Sequence, residues 1–166
     1  MKLNFYKYQG TGNDFVMIDN RSLHFDKNNT KHIAFLCDRR FGIGADGLIL
    51  LENHPDYDFK MVYYNADGNE SSMCGNGGRC LSAFAKQLGV VNDKATFVAI
   101  DGLHHAVIEQ GVVSLQMQDV LKINQQQDYV FLDTGSPHHI EMVNDLEHFD
   151  VKTNGSAIRY GNLYGK

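Results

Sequence analysis

Apolar residues gather along this chain in short runs separated by turns rich in glycine and asparagine. Phe15-Val16-Met17-Ile18, Leu48-Ile49-Leu50-Leu51 and Phe59-Lys60-Met61-Val62-Tyr63-Tyr64 have the length and apolar content of strands, and Asn65-Ala66-Asp67-Gly68-Asn69 closes the third as a turn. Further strands are expected at Thr96 to Ile100, Ala106 to Glu109, Val112 to Met117, Tyr129 to Asp133 and Ile140 to Val143. Helical spacing interrupts this pattern twice. Over residues 30–40, Thr30 offers a cap, and Ile33, Leu36, Cys37 and Arg40 fall on neighbouring turns, with Cys37 a core residue. Leu81, Phe84, Ala85 and Leu88 then follow helical spacing, and Cys80 and Ala83 widen the apolar face. A helix buried almost all round is expected over residues 77–88, with Gly89 as its left-handed cap. Together these elements predict an α+β protein with a mostly antiparallel sheet packed around or against a buried helix.

The 166 residues suffice for one domain, or for one domain and a piece of another. A formal charge of −5 without a basic run argues against nucleic acid or an anionic membrane surface as partner. Polar residues follow Met1-Lys2-Leu3-Asn4-Phe5 directly, and no apolar run approaches the ~20 residues of a membrane span, so a cytoplasmic protein is expected. Three cysteines, an odd number without repeated spacing, fit a reducing compartment better than a disulfide framework.

Candidate chemistry centres on Met73-Cys74-Gly75-Asn76-Gly77-Gly78-Arg79-Cys80, where a thiol sits on a glycine-rich turn just before a helix. Free N–H groups and the positive helix end there favour thiolate over thiol and offer a site for a carboxylate or phosphate. Asn13, Asn65, Asn69 and Asn76 stand in similar turns and suit a polar substrate bearing amino and carboxylate groups. His138, in Gly135-Ser136-Pro137-His138, is either an imidazole aimed at Cys74 or a hydrogen-bonded structural residue. Cysteine with histidine serves a hydrolase, where thiolate attacks a carbonyl, or a racemase, where it removes a proton beside a carboxylate.

Other motifs carry less. Gly42-Ile43-Gly44-Ala45-Asp46-Gly47 has dinucleotide-binding spacing, but a helix precedes it and a strand follows, the reverse of what that site requires. His104-His105 and His138-His139 are adjacent pairs whose side chains diverge, so no metal site is expected, and His104 and His105 are read as surface loop residues. Gly10-Thr11-Gly12-Asn13 is echoed by Asp133-Thr134-Gly135-Ser136, as if a second copy of the fold began near residue 118.

Gly12-Asn13-Asp14-Phe15, Gly42-Ile43-Gly44-Ala45-Asp46-Gly47, Asn65-Ala66-Asp67-Gly68 and Met73-Cys74-Gly75-Asn76-Gly77, in that order, resemble the N-terminal half of diaminopimelate epimerase. The resemblance implies a barrel-like antiparallel sheet around a central helix, with residues 1–117 forming a first lobe and 118–166 opening a second, incomplete one. It implies a cofactor-independent enzyme interconverting LL- and meso-diaminopimelate, in which one cysteine from each lobe faces the α-carbon. Cys74 matches the first cysteine. Asn13, Asn65, Gly75 and Asn76 would hold substrate, and His138 matches a histidine near the site. Ser136 stands where the family usually has asparagine, and the second cysteine would lie beyond Lys166. A homodimer, or pairing with a C-terminal half, would complete such a chain. The alternatives are a related isomerase of the proline-racemase or phenazine-biosynthesis type, or a lobe that binds an amino acid without turning it over.

Overall fold

The fold was obtained as a computed structural model, which describes residues 3–164. It begins with a hairpin of β1 (Tyr6–Gly10) and β2 (Asn13–Asp19), turned by Thr11 and Gly12 at φ 55° and 85°. Positive φ at both turn residues matches the right-handed twist of the flanking strands and starts β2 at Asn13. Helix α1 (Thr30–Cys37) follows. Its cap is Asn29 rather than Thr30, the Asn29 side chain accepting the His32 N–H at 3.0 Å. The helix stops short of Arg40 because Asp38 turns extended and accepts the N–H groups of Arg40 and Phe41 at 2.8 and 2.7 Å.

Strands β3 (Gly47–Glu52) and β4 (Phe59–Asn65), helix α2 (Gly75–Gln87), and strands β5 (Lys94–Ala99), β6 (Gly102–Glu109) and β7 (Val112–Leu115) come next. The seven strands form one sheet in sequence order. This sheet is mixed: β2 pairs with β3 and β4 with β5 in parallel, while its other four ladders are antiparallel. In both cases a helix lies between the paired strands and carries the chain back to the end where it began.

The two helices cover opposite faces. Phe15, Met17, Ile49, Leu51, Phe59 and Met61 pack with Leu81, Phe84 and Ala85 of α2, whereas Val16, Ile18, Leu48 and Leu50 pack with Ile33, Leu36 and Cys37 of α1. Burial on both faces explains why β2 and β3 read as continuous apolar runs rather than alternating ones. Helix α2 touches both outer strands, β1 and β7. Seven flat strands would separate those edges by about 29 Å, while a helix is only ~10 Å across. The sheet therefore curls around α2 as a half-barrel. Close approach depends on Gly77 and Gly78, where an added Cβ would come within 2.8 Å of Ile49 Cδ1 and 2.7 Å of Met73 Cε. The helix is not buried all round, since Ala83 is half-buried and Lys86 and Gln87 are exposed. Gly89 adopts the expected left-handed conformation at φ 69°.

His104 corrects a second expectation. It lies in β6, only 1% exposed, with Nε2 2.8 Å from Asp101 Oδ1 and Nδ1 3.1 Å from the Gln116 carbonyl. Its partner in sequence, His105, is exposed but also belongs to β6 rather than a loop.

After β7 a separate three-stranded sheet forms from β8 (Ile123–Gln125), β9 (Val130–Asp133) and β10 (Pro137–Ile140), followed by α3 (Val151–Tyr160), a third helix that sequence periodicity did not reveal. The strand expected at Ile140 to Val143 falls earlier, because Pro137 pairs with Asp133 across the Thr134-Gly135-Ser136 turn. Both Thr-Gly echoes are hairpin turns with a left-handed glycine, Gly12 and Gly135.

Candidate active site

Cys74 caps α2. Its backbone is extended, its carbonyl accepts the Gly78 N–H at 2.8 Å, and its sulfur accepts the Gly77 N–H at 3.4 Å. Gly75 and Asn76 take the first two helical positions, whose N–H groups have no acceptor within a helix. Cys74, Gly75 and Asn76 line a cleft of about 480 Å³. Strand β4 ends at the same cleft and delivers Tyr63 and Asn65, two residues apart and so on one face. The Tyr63 hydroxyl donates to Asn65 Oδ1 at 2.9 Å, and burial, with Cys74 nearby, pushes the phenol up to about 12.

The opposite wall comes from the turn before β10. Ser136 and His138 line the cleft, and the Ser136 hydroxyl lies 2.9 Å from that of Ser72, just ahead of the cysteine motif. His138 is exposed, with Nδ1 2.7 Å from the Ser136 carbonyl, a contact that makes Nδ1 the protonated nitrogen and leaves Nε2 to the solvent side. It shares the cleft with Cys74, and no Cys74–His138 hydrogen bond is formed among the described residues. Asn13, at the start of β2, comes up behind the thiol: its Oδ1 lies 3.7 Å from Cys74 Sγ and accepts from Asn76 Nδ2 at 3.3 Å.

The other two thiols stand apart. Cys37 and Cys80 are 3% and 4% exposed, and burial pushes both up to about 11. Neither lines the cleft. Among the described residues no group of three or more His, Cys, Asp or Glu side chains is arranged to hold a metal ion, and no helix is long and apolar enough to cross a membrane.

The family model for diaminopimelate epimerase matches residues 5–120, which include the Asn13 hairpin, the Asn65 turn and the Cys74 helix. The chain belongs to the diaminopimelate epimerase family. Diaminopimelate epimerase of Flavobacterium psychrophilum is 65% identical over 167 residues, covering 100% of this chain and 64% of that protein. Those of Chlorobaculum tepidum and Aquifex aeolicus are 43% and 36% identical, covering 91% and 95% of this chain and 62% and 63% of theirs. The chain thus spans less than two thirds of the length of these three relatives. Among solved structures, a PhzF-family phenazine biosynthesis protein of Bacillus anthracis superposes with a TM-score of 0.65 at 15% identity, covering 85% of this chain and 56% of that one. A probable proline racemase of Agrobacterium radiobacter K84 gives 0.64 at 16% identity, covering 92% and 55%. These two show a shared fold.

In this family member, sequence reasoning missed Tyr63, Arg79 and Asp46. Arg79 lines the cleft and donates to Asn76 Oδ1, and Asp46 accepts from Asn13 Nδ2 at 2.8 Å. Two of the three left a signal in the sequence. Tyr63 sits two residues before Asn65 on a strand, and Arg79 three after Asn76 on a helix, spacings that put each pair on one face.

Proposed function

We propose that this chain supplies the first proton-transfer half of a cofactor-independent amino-acid epimerase acting on diaminopimelate, in a pathway to lysine. The observation that carries the reading is a half-buried thiol at a helix N-terminus, opening into a cleft with Asn65, Asn76 and Arg79. Cys74 Sγ, as thiolate, takes the α-proton from one face of the substrate. Electron density then moves onto the α-carboxylate, where the N–H groups of Gly75 and Asn76, the helix dipole and the Arg79 guanidinium oppose it. Asn65 and Asn13 contribute amide contacts to the polar substrate, Ser136 a hydroxyl, and His138 closes the far side. The chemistry asks for no cofactor.

Return of a proton from the opposite face needs a second acid. Cys37 and Cys80, both buried away from the cleft, do not reach it. That acid lies outside the described residues, in a C-terminal half or a second copy. In this reading residues 1–117 form the first lobe, wrapped around α2 as its central helix, and residues 118–166 open the second, in a cytoplasmic enzyme without nucleic-acid or membrane partners. The expected result is little LL-to-meso turnover by this chain alone, turnover on adding the separately expressed C-terminal half of a relative, and loss of it in Cys74→Ala. Turnover that survives Cys74→Ala would overturn the reading.

A further inference from the structure

Three side-chain hydrogen bonds beside Cys74 run one way, from a guanidinium to a carboxylate. Arg79 donates to Asn76 Oδ1, Asn76 Nδ2 donates to Asn13 Oδ1 at 3.3 Å, and Asn13 Nδ2 donates to Asp46 Oδ2 at 2.8 Å. A guanidinium only donates and an ionised carboxylate only accepts, so each end dictates which way its neighbouring amide faces. Turning Asn13 over would set its oxygen against the Asp46 carboxylate and its NH₂ against that of Asn76. Its oxygen is therefore held toward Cys74 Sγ, 3.7 Å away. Asp46 is fixed in turn by Arg39 at 2.7 Å and the Asp14 N–H at 3.2 Å. The Asn13 contact above all keeps its carboxyl below the usual range, so it stays an acceptor at neutral pH.

We infer that Asp46 is a positioning residue which, through Asn13, sets the thiol–thiolate balance of Cys74. The orientation it imposes presents an acceptor to the S–H and withholds a donor from the thiolate. This rests on the epimerase reading, in which Cys74 serves as both acid and base, but its test needs no turnover. The other charged or titratable groups around the thiol are Arg79 and Cys80 on α2, Tyr63 on β4 and His138 in the same cleft.

The test is the pH profile of iodoacetamide alkylation at Cys74, read by peptide mass. In Asp46→Asn the Arg39 guanidinium keeps the new amide oxygen on its side, the NH₂ falls opposite Asn13, and Asn13 turns to offer N–H to the sulfur, Asn76 turning with it as Arg79 swings into the cleft that it lines. Alkylation at pH 7 should then speed up by about tenfold, the effect of one pK unit. Losing the Asp46 charge would act in the same direction through space, so the substitution is repeated in Asn13→Ala. There it should change the rate by less than about twofold, the share left to a screened exposed charge. Equal acceleration in both backgrounds, or none in either, overturns the inference. Asp46→Ala carries the same comparison if Asp46→Asn lacks a cooperative melt. In the parent, the Asn13 side-chain NH₂ resonances should follow acid titration of Asp46, and their failure to move would equally overturn it.

Discussion

Phe84 is the residue through which α2 grips β1, and its loss should cost more than that of any exposed aromatic. It is fully buried, with its ring centroid 5.0 Å from Tyr6 and 5.8 Å from Tyr8. Phe84→Ala removes the transfer energy of the ring and leaves a cavity, about 3–5 kcal/mol together. The two aromatic pairs add roughly 0.5–1.5 kcal/mol each beyond area, so about 4–8 kcal/mol is expected. With a urea m-value of about 2 kcal/mol/M, the unfolding midpoint should fall by about 2–4 M. Phe41→Ala is the control: Phe41 is 79% exposed, and its midpoint should move by less than about 0.25 M. Undocking α2 should also open Cys80, whose sulfur lies 3.4 Å from where a Cβ on Gly10 would sit. Alkylation of Cys80 should rise in step with the loss of stability. Equal midpoint shifts in the two variants, or a fall below about 0.5 M in Phe84→Ala, would refute the docking argument.

The thiols should separate by burial. At pH 8 a thiol at about 11, as for Cys37 and Cys80, is roughly a thousandth thiolate, against roughly a quarter for an ordinary one near 8.5. Folded protein should therefore label at Cys74 first and denatured protein at all three, and a Cys37 or Cys80 rate within tenfold of Cys74's would contradict this. Acid should weaken the fold through Asp14, Asp19 and Asp46, whose carboxyls are held low chiefly by Arg39, Arg21 and Asn13 respectively. Because their folded values are depressed, that stability is present above the unfolded value of ~3.9 and is lost as pH falls through the folded ones. Asp14→Asn should lower the urea midpoint by roughly 0.5 M at pH 7. The gap to the parent should narrow steadily as pH falls below ~4, and a gap that stays constant down to pH 2 counts against the ion-pair explanation.

What sequence revealed of this fold follows from what periodicity measures. Runs such as Leu48 to Leu51 announce strands, and the spacing of Leu81, Phe84 and Ala85 a helix, because burial imposes both patterns. Pairing direction is a different matter. The parallel β2–β3 and β4–β5 ladders follow from the helix between each pair, a clue present in the element order but outweighed by the number of short strands. His104 looked like loop because an adjacent histidine pair is polar, yet alternation along β6 buries one and exposes the other. The cleft was legible at Cys74, Asn65 and Asn76 because glycine turns advertise them. Asp46 was not, since its contribution is an orientation imposed on another side chain, and only the structure displays that.

The surroundings of Cys74 make sense as a compromise between two states. The Gly77 N–H at 3.4 Å and the helix dipole favour thiolate, while the Asn13 oxygen at 3.7 Å favours thiol. A hydrolase would gain from removing the second influence, since its cysteine must start as nucleophile every time. An epimerase would not: the group that takes a proton from one stereoisomer must return one to the other, and a thiolate stabilised too far would be too weak a base to take a proton, stalling one direction. Opposed contacts of this kind suit a group that must both take and give a proton. The Asn13 oxygen, rather than the helix end alone, therefore separates this thiol from an ordinary activated nucleophile. On the proposed epimerase reading, Asn13 would then act on the proton transfer as well as on substrate binding.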